Sequence, residues 1–176
     1  MMKHCSSCGH PVQYRVPPGD QRPRAVCAHC GAIHYQNPLI VAGCVVEHAG
    51  RILLCRRAIE PRRGYWTNPA GFMELGETLQ RAAERETQEE ALADVTLGSM
   101  LSVTNILQTG QVHIFFRAML PDPRYGSGAE SLEVRLFDEA EIPWQDMAFR
   151  SSTFALQRYL EDRRAGRELL HFLDLP

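Results

Sequence analysis

Two short runs near the N-terminus, Cys5-Ser6-Ser7-Cys8 and Cys27-Ala28-His29-Cys30, constrain this chain more than any other feature of its 176 residues. The 18 residues between them fall within the spacing at which four thiolates close a tetrahedral zinc shell. Gly9 and Gly31 each follow a knuckle, which suits the tight turn that aims backbone N–H groups at sulfur. A shell of four sulfurs leaves no open position, so the expected zinc is structural. The rival is a redox CxxC pair, which sits at a helix start beside a βαβ unit, and neither knuckle has that context. His4, His10, His29 and His34 crowd the module, but with the shell already filled they read as bystanders. Cys44 and Cys55 lie inside apolar runs and read as small core residues.

After the last knuckle the composition shifts at Asn37 and Pro38. The sequence therefore divides into a ribbon module, 1–36, and a second domain, 37–176. Nineteen Lys and Arg against 21 Asp and Glu give a net charge of −2, which offers no global attraction to nucleic acid or to an anionic membrane. Any phosphate binding must be local. No run approaches the ~18 apolar residues of a membrane span, and the start MMKHCSSCGH lacks the apolar core of a signal peptide. The expected compartment is the cytoplasm.

LIVAGCVVEHAGRILLCRR, from Leu39, predicts two strands joined at His48 to Gly50. Residues 62–76 are rich in Gly, Pro and aromatics and predict a loop. Thr78 can cap a helix running to about Glu90. Val112 to Leu120 and Val134 to Phe137 predict further strands, and Pro121 to Gly128 a mobile loop. The last helix is expected from Ser151 to about Arg164, with Gly166 as its stop. Interleaved strands and helices give an α/β or α+β class.

The stretch GFMELGETLQRAAERETQEEALA, Gly71 to Ala93, carries the chemistry. On a helix Leu79, Ala82 and Ala83 share one face, and Glu86 and Glu90 continue that stripe within about 40° of Leu79 at ~100° per residue. Two carboxylates aligned with a core-facing stripe are costly to desolvate and repel each other one turn apart. A hard divalent cation compensates, since Mg²⁺ takes carboxylate oxygens and bridges to phosphates. Glu89 can add a ligand or take a proton from an attacking water. Arg85 and Glu77 can pair to hold the loop against the helix. The alternative, a surface helix whose acids face water, does not account for the register with the apolar stripe.

Gly71, Glu77, Arg85, Glu86, Glu89 and Glu90 together resemble the signature of the Nudix hydrolase family. Thr87 stands where that signature has an aliphatic residue. Leu92 stands where it has a glycine, which predicts another path for the chain after Glu90. The ribbon, then YQNP, the Nudix segment, ESLEVRLF and a C-terminal helix resemble the ribbon-bearing branch that includes bacterial NADH pyrophosphatases, and more closely plant chloroplast FAD and ADP-ribose pyrophosphatases. The resemblance implies an α/β/α sandwich with a mixed sheet and a homodimer. It also implies Mg²⁺ or Mn²⁺ held by Glu86, Glu89, Glu90, the Ala70 carbonyl and Glu130, with Glu133 as a second acid from that segment. The implied reaction is attack of water on the pyrophosphate of a nucleoside diphosphate linked to another moiety.

Arg56, Arg57, Arg62 and Arg63 flank the loop and are candidate phosphate clamps. Tyr65, Trp66 and Phe72 are candidate platforms for an adenine or flavin ring, or else packing. Of Phe115 and Phe116, strand alternation turns one inward and leaves the other to line a pocket. The segment LGSMLSVTNILQTGQVHIFF lacks the Ser, Gln, Pro, Trp and Phe motif of the NADH-cleaving relatives. ADP-ribose and FAD, releasing AMP, therefore lead over NADH and nucleoside triphosphates as the expected small-molecule partner. A non-enzymatic alternative is a ribbon binding module on an inactive Nudix fold. Lys3, Arg15, Arg22 and Arg24 with Tyr14 and Tyr35 would then form its contact patch. The intact glutamates argue against it and make nucleic acid an unfavoured partner.

Overall fold

Ala42, Cys44 and Val46 pack to one side of the strand that begins at Leu39, while Val45 packs to the other. A strand alternating in this way needs cover on both faces. The computed structural model describes residues 2–176 and resolves two compact units, one ending at Asn37 and the other running from Pro38 to Pro176.

The first unit is a three-stranded antiparallel sheet of β1 (Val12–Arg15), β2 (Arg24–Cys27) and β3 (Ile33–His34), in that order. Each knuckle closes when its trailing glycine donates to the carbonyl of the first cysteine: Gly9 to Cys5 at 2.9 Å and Gly31 to Cys27 at 3.0 Å. Both glycines hold a positive φ, 74° and 75°.

The second unit is built on an eight-stranded mixed sheet. Its strands are β4 (Leu39–His48), β5 (Arg51–Arg57), β6 (Trp66–Thr67), β7 (Ala70–Phe72), β8 (Thr96–Ile106), β9 (Gln111–Met119), β10 (Ser131–Phe137) and β11 (His171–Leu175). The main path runs β10-β5-β4-β9-β8-β11, with β6 on β5 and β7 on β4. β4 pairs β9 and β8 pairs β11 in parallel; the other pairs are antiparallel. Helix α1 (Leu79–Ala91) packs through Ala82, Ala83 and Ala91 against the Cys44, Leu53 and Phe116 face. Helix α2 (Arg150–Ala165) packs through Ala155, Leu156 and Leu160 against Val45, Leu54 and Phe115. The result is an α+β sandwich with one helix on each face.

Local chemistry explains the joints. Ala49 and Gly50 both take positive φ, 48° and 81°, the backbone of the two-residue turn that matches strand twist. β7 crosses β4 at Gly43, where a Cβ would lie 2.3 Å from the Ala70 Cβ. α2 ends at Gly166 in the left-handed region. On the α2 face Arg117 and Asp162 form a buried ion pair, and Asp162 also accepts from Leu169 N at 3.0 Å and His171 Nε2 at 2.9 Å. That network fixes the approach of β11.

Several expectations are corrected. The 62–76 loop contains β6 and β7, and residues 96–106 and 171–175 form strands that the pattern did not indicate. The 121–128 segment is a loop, and within it Gly126 and Gly128 bond the end of α1. Phe115 and Phe116 are both core residues, because both faces of the sheet are covered. No helix among the described residues is long and apolar enough to cross a membrane.

Candidate active site and zinc cluster

Thr78 stands in extended backbone before α1, and its hydroxyl accepts from Arg81 N at 3.2 Å. That cap satisfies one of the orphan donors of the first turn. At the other end Leu92 closes the helix with φ 48° and ψ 37°, donating its N–H to Gln88 O. The missing glycine therefore does not redirect the chain; leucine adopts the left-handed stop itself.

Arg85 organises the loop ahead of the helix. It donates to both oxygens of Glu77, at 3.1 and 2.8 Å, and to the Phe72 carbonyl at 3.1 Å. Its remaining Nη reaches Glu86 at 2.7 Å and Glu89 at 3.1 Å. Glu77 also accepts from Glu74 N at 2.6 Å. Gly71 leaves space for the Glu86 carboxylate, since a Cβ there would meet Glu86 Oε2 at 2.2 Å.

Glu86 and Glu90 lie on the inner side, as their register predicts. Glu90 is only 5% exposed and accepts from Ala70 N at 3.1 Å. Burial pushes its carboxyl up to about 8; the Ala70 bond and the Arg57 charge work against that, and the charges of Glu86 and Glu130 add to it. Burial likewise raises Glu86, against its bond to Arg85 and with help from Glu89 and Glu130. Glu130 thus stands within electrostatic range of both. Two desolvated carboxylates with the charge of Glu130 nearby are a costly arrangement that a hard divalent cation would relieve.

The remaining candidates divide. Arg57 is largely buried, donates Nε to Pro61 O at 2.9 Å and lies 5.0 Å over the Phe149 ring, with its charge felt at Glu90. Arg56 turns away, bonding Gly64 O at 2.9 Å and pairing with Glu133 at 3.8 Å. Glu133 is half-exposed and faces Arg56. Trp66 is corrected from platform to packing: it is buried, edge-on to Phe137 at 4.8 Å. Tyr65, with Arg62 5.5 Å over its ring, and Phe72 are exposed. Asn68 and Ser152 were not singled out by the sequence. Ser152 Oγ accepts from Asn68 N at 3.0 Å and Nδ2 at 2.9 Å, anchoring the backbone two residues before Ala70 to the start of α2.

In the ribbon the four cysteine sulfurs lie within 4.8 Å of one another, with Cys5 and Cys30 at 3.6 Å and Cys8 and Cys27 at 3.5 Å. A tetrahedron of ~2.3 Å bonds spaces its sulfurs by about 3.8 Å, so the cluster fits zinc. Cys5 is lowered to about 5, its burial outweighed by N–H groups of Ser7 and Cys8 and by His34. Cys8 is raised to about 12, because burial and the neighbouring thiols outweigh its backbone bond. Four adjacent thiols cannot all ionise without a cation. His34 is not a bystander: its Nε2 lies 3.2 Å from Cys5 Sγ. His10 and His29 stack at 3.7 Å.

Residues 37–157 match the NUDIX domain model, and residues 3–36 match a zinc-ribbon model described as Nudix N-terminal. The chain belongs to the Nudix hydrolase family. A crystal structure of a NUDIX hydrolase from Nitrosomonas europaea is 49% identical, covers 99% of each chain and superposes with a TM-score of 0.95. Among curated proteins, an NAD-capped RNA hydrolase NudC from Edwardsiella ictaluri is 38% identical over 96 residues, 53% of this chain and 34% of the relative. The Nudix chain thus spans about a third of the length of the curated relatives it matches. An ADP-ribose pyrophosphatase from Streptococcus suis, 17% identical with a TM-score of 0.63 over 77% of this chain and 99% of that one, shares the fold.

Proposed function

We propose that this Nudix enzyme hydrolyses the pyrophosphate bond of a nucleoside diphosphate linked to a second moiety, in the cytoplasm and as a homodimer, with ADP-ribose or FAD as substrate and AMP as a product. The observation that carries the reading is the desolvated pair Glu86 and Glu90, one turn apart, with Glu130 adding negative charge. Glu86, Glu89, Glu90, Glu130 and the Ala70 carbonyl would hold Mg²⁺ or Mn²⁺, and zinc would fill the cysteine shell. Bound divalent ions supply charge neutralisation on the phosphates and a more acidic water. Arg57, held by Pro61 and Phe149, keeps a cation beside the acids where phosphate charge would gather. Glu89, the most exposed of the three box acids, is open to water and would take the proton of the attacking one. Tyr65 and Phe72 remain the exposed rings for a base.

A second reading has its own support: relatives carry the name NAD-capped RNA hydrolase. Exposed Tyr14 and Tyr35, with Arg24 5.1 Å over Tyr35, would then contact the RNA body. Purified protein incubated with ADP-ribose, FAD, NADH, nucleoside triphosphates and NAD-capped RNA, with and without Mg²⁺ or Mn²⁺, separates the readings by product chromatography. Metal-dependent AMP from ADP-ribose or FAD supports the first, and faster decapping the second. No turnover of any substrate by folded, zinc-loaded protein would sink both and favour the binding module.

A further inference from the structure

We infer that Leu92, standing where the Nudix signature has glycine, is a positioning residue that seats the Gly126–Gly128 segment on the end of α1 and thereby holds Glu130 at the acidic cluster. The inference rests on the reading of Glu130 as a metal ligand.

Leu92 holds a left-handed backbone at φ 48°, which glycine adopts freely and a leucine does not. Its side chain is 50% exposed, so core burial does not account for it. The side chain lies instead over Gly126, where an added Cβ would come 3.4 Å from Leu92 Cδ1. Gly126 and Gly128 have no side chains to offer; Tyr125 packs on the α1-side core just before them, and Leu92 supplies the apolar contact over Gly126 from the helix end.

The same segment satisfies the end of α1. Gly126 N donates to Ala91 O at 2.8 Å and Gly128 N to Glu90 O at 3.1 Å, two carbonyls that a helix terminus leaves without an internal partner. Gly128 approaches so closely that a Cβ would fall 1.7 Å from Glu89 O. Beyond it, Ser131 N donates to Gly128 O at 3.1 Å and Ala58 N to Glu130 O at 2.8 Å. Glu130 is therefore fixed between the helix end and β5. The carbonyl that receives Gly128 belongs to Glu90 itself, so the register of Glu130 is set against the helix that carries the other acids. The departure from the family signature and the two loop glycines form one device.

The experiment compares wild type with L92G, L92N, L92M, G128A and E130Q. Hydrogen exchange on chelator-treated protein reads docking of residues 124–131, and Mn²⁺ titration followed by electron paramagnetic resonance reads metal binding. L92G and L92N both permit the backbone angle but remove the contact, so each should speed exchange of the segment without lowering the thermal midpoint. Each should also weaken Mn²⁺ binding about 10-fold, the scale of lost outer-sphere support. L92M should restore both, and G128A, which pushes the segment off Glu89 O, should speed exchange as well as weaken Mn²⁺ binding, whereas E130Q should weaken binding with exchange unchanged. L92G should add nothing in the E130Q background, as expected of residues acting in series. Weakening by E130Q with unchanged exchange and binding in L92G and L92N would overturn the seat alone. Unchanged binding in E130Q would overturn the ligand reading and the inference together.

Discussion

Arg85 grips both carboxylate oxygens of Glu77 and, through a different Nη, reaches Glu86 and Glu89. One planar fork thus fixes the loop before the helix and bridges two acids on it. Lysine has the charge but not the fork. Arg85→Lys should lower stability by about 1.5–3 kcal/mol, the range for hydrogen bonds to charged groups, as read by urea unfolding. Metal-dependent turnover should fall further than the stability loss explains, because Glu77, Phe72 and Glu86 lose a common partner. Full turnover in the lysine variant would remove Arg85 from the machinery.

Glu90 gives a pH signature in metal-free protein. Its folded pKa, about 8, lies above the ordinary 4.5. Its contribution to stability is therefore complete below about pH 4.5 and is lost as pH rises through 8. Chelator-treated protein should show a falling thermal midpoint across that window, from this group. Glu90→Gln should flatten the fall and abolish the Mn²⁺-induced rise seen in wild type at high pH. A midpoint in the glutamine variant that still falls as steeply would show that another group is responsible.

The ribbon predicts its own dependence on metal. Cys5 lowered and Cys8 raised describe a thiol cluster that cannot ionise completely without a cation. Native protein should contain about one zinc ion per closed four-cysteine shell by elemental analysis. A strong chelator, or Cys27→Ser, should strip it and unprotect residues 3–36 in hydrogen exchange. Zinc-free protein with the ribbon's protection intact would show that the sheet needs no metal.

Helix α1 was legible because cap, apolar stripe and acids share one period: Thr78, then Leu79, Ala82, Ala83, Glu86 and Glu90. The knuckles were legible because cysteine spacing is a local property. What failed depended on distant partners. β8 hides behind Ser99, Ser102, Thr104 and Asn105, and its pairing with β9 shifts register around Met100, which breaks the alternation that betrays a strand. β11 is five residues whose place is set by Asp162 and β8. Trp66 in a Gly/Pro-rich stretch resembled a surface ring, and only the position of Phe137 decides otherwise. The role of Leu92 was invisible without Gly126, 34 residues away in sequence.

His113 supplies a test on the opposite face, where β9 meets the start of α2. Ser151 Oγ lies 2.9 Å from its Nδ1, and Gln111 Oε1 lies 3.0 Å from its Nε2. Gln111 Oε1 can only accept, so Nε2 carries the proton and Nδ1 accepts from the serine hydroxyl. Burial lowers the pKa from 6.5 to about 4. A depressed histidine contributes stability above pH 6.5 that is lost as pH falls through about 4, since unfolding then gains a proton. The His113 ring resonance should stay at its neutral position in an NMR titration down to about pH 5, while His113→Gln should reduce the acid sensitivity of unfolding between pH 6.5 and 4. A ring that titrates near 6.5 in the folded protein would mean that it is open to water, and that the Ser151 contact does not hold α2 against β9.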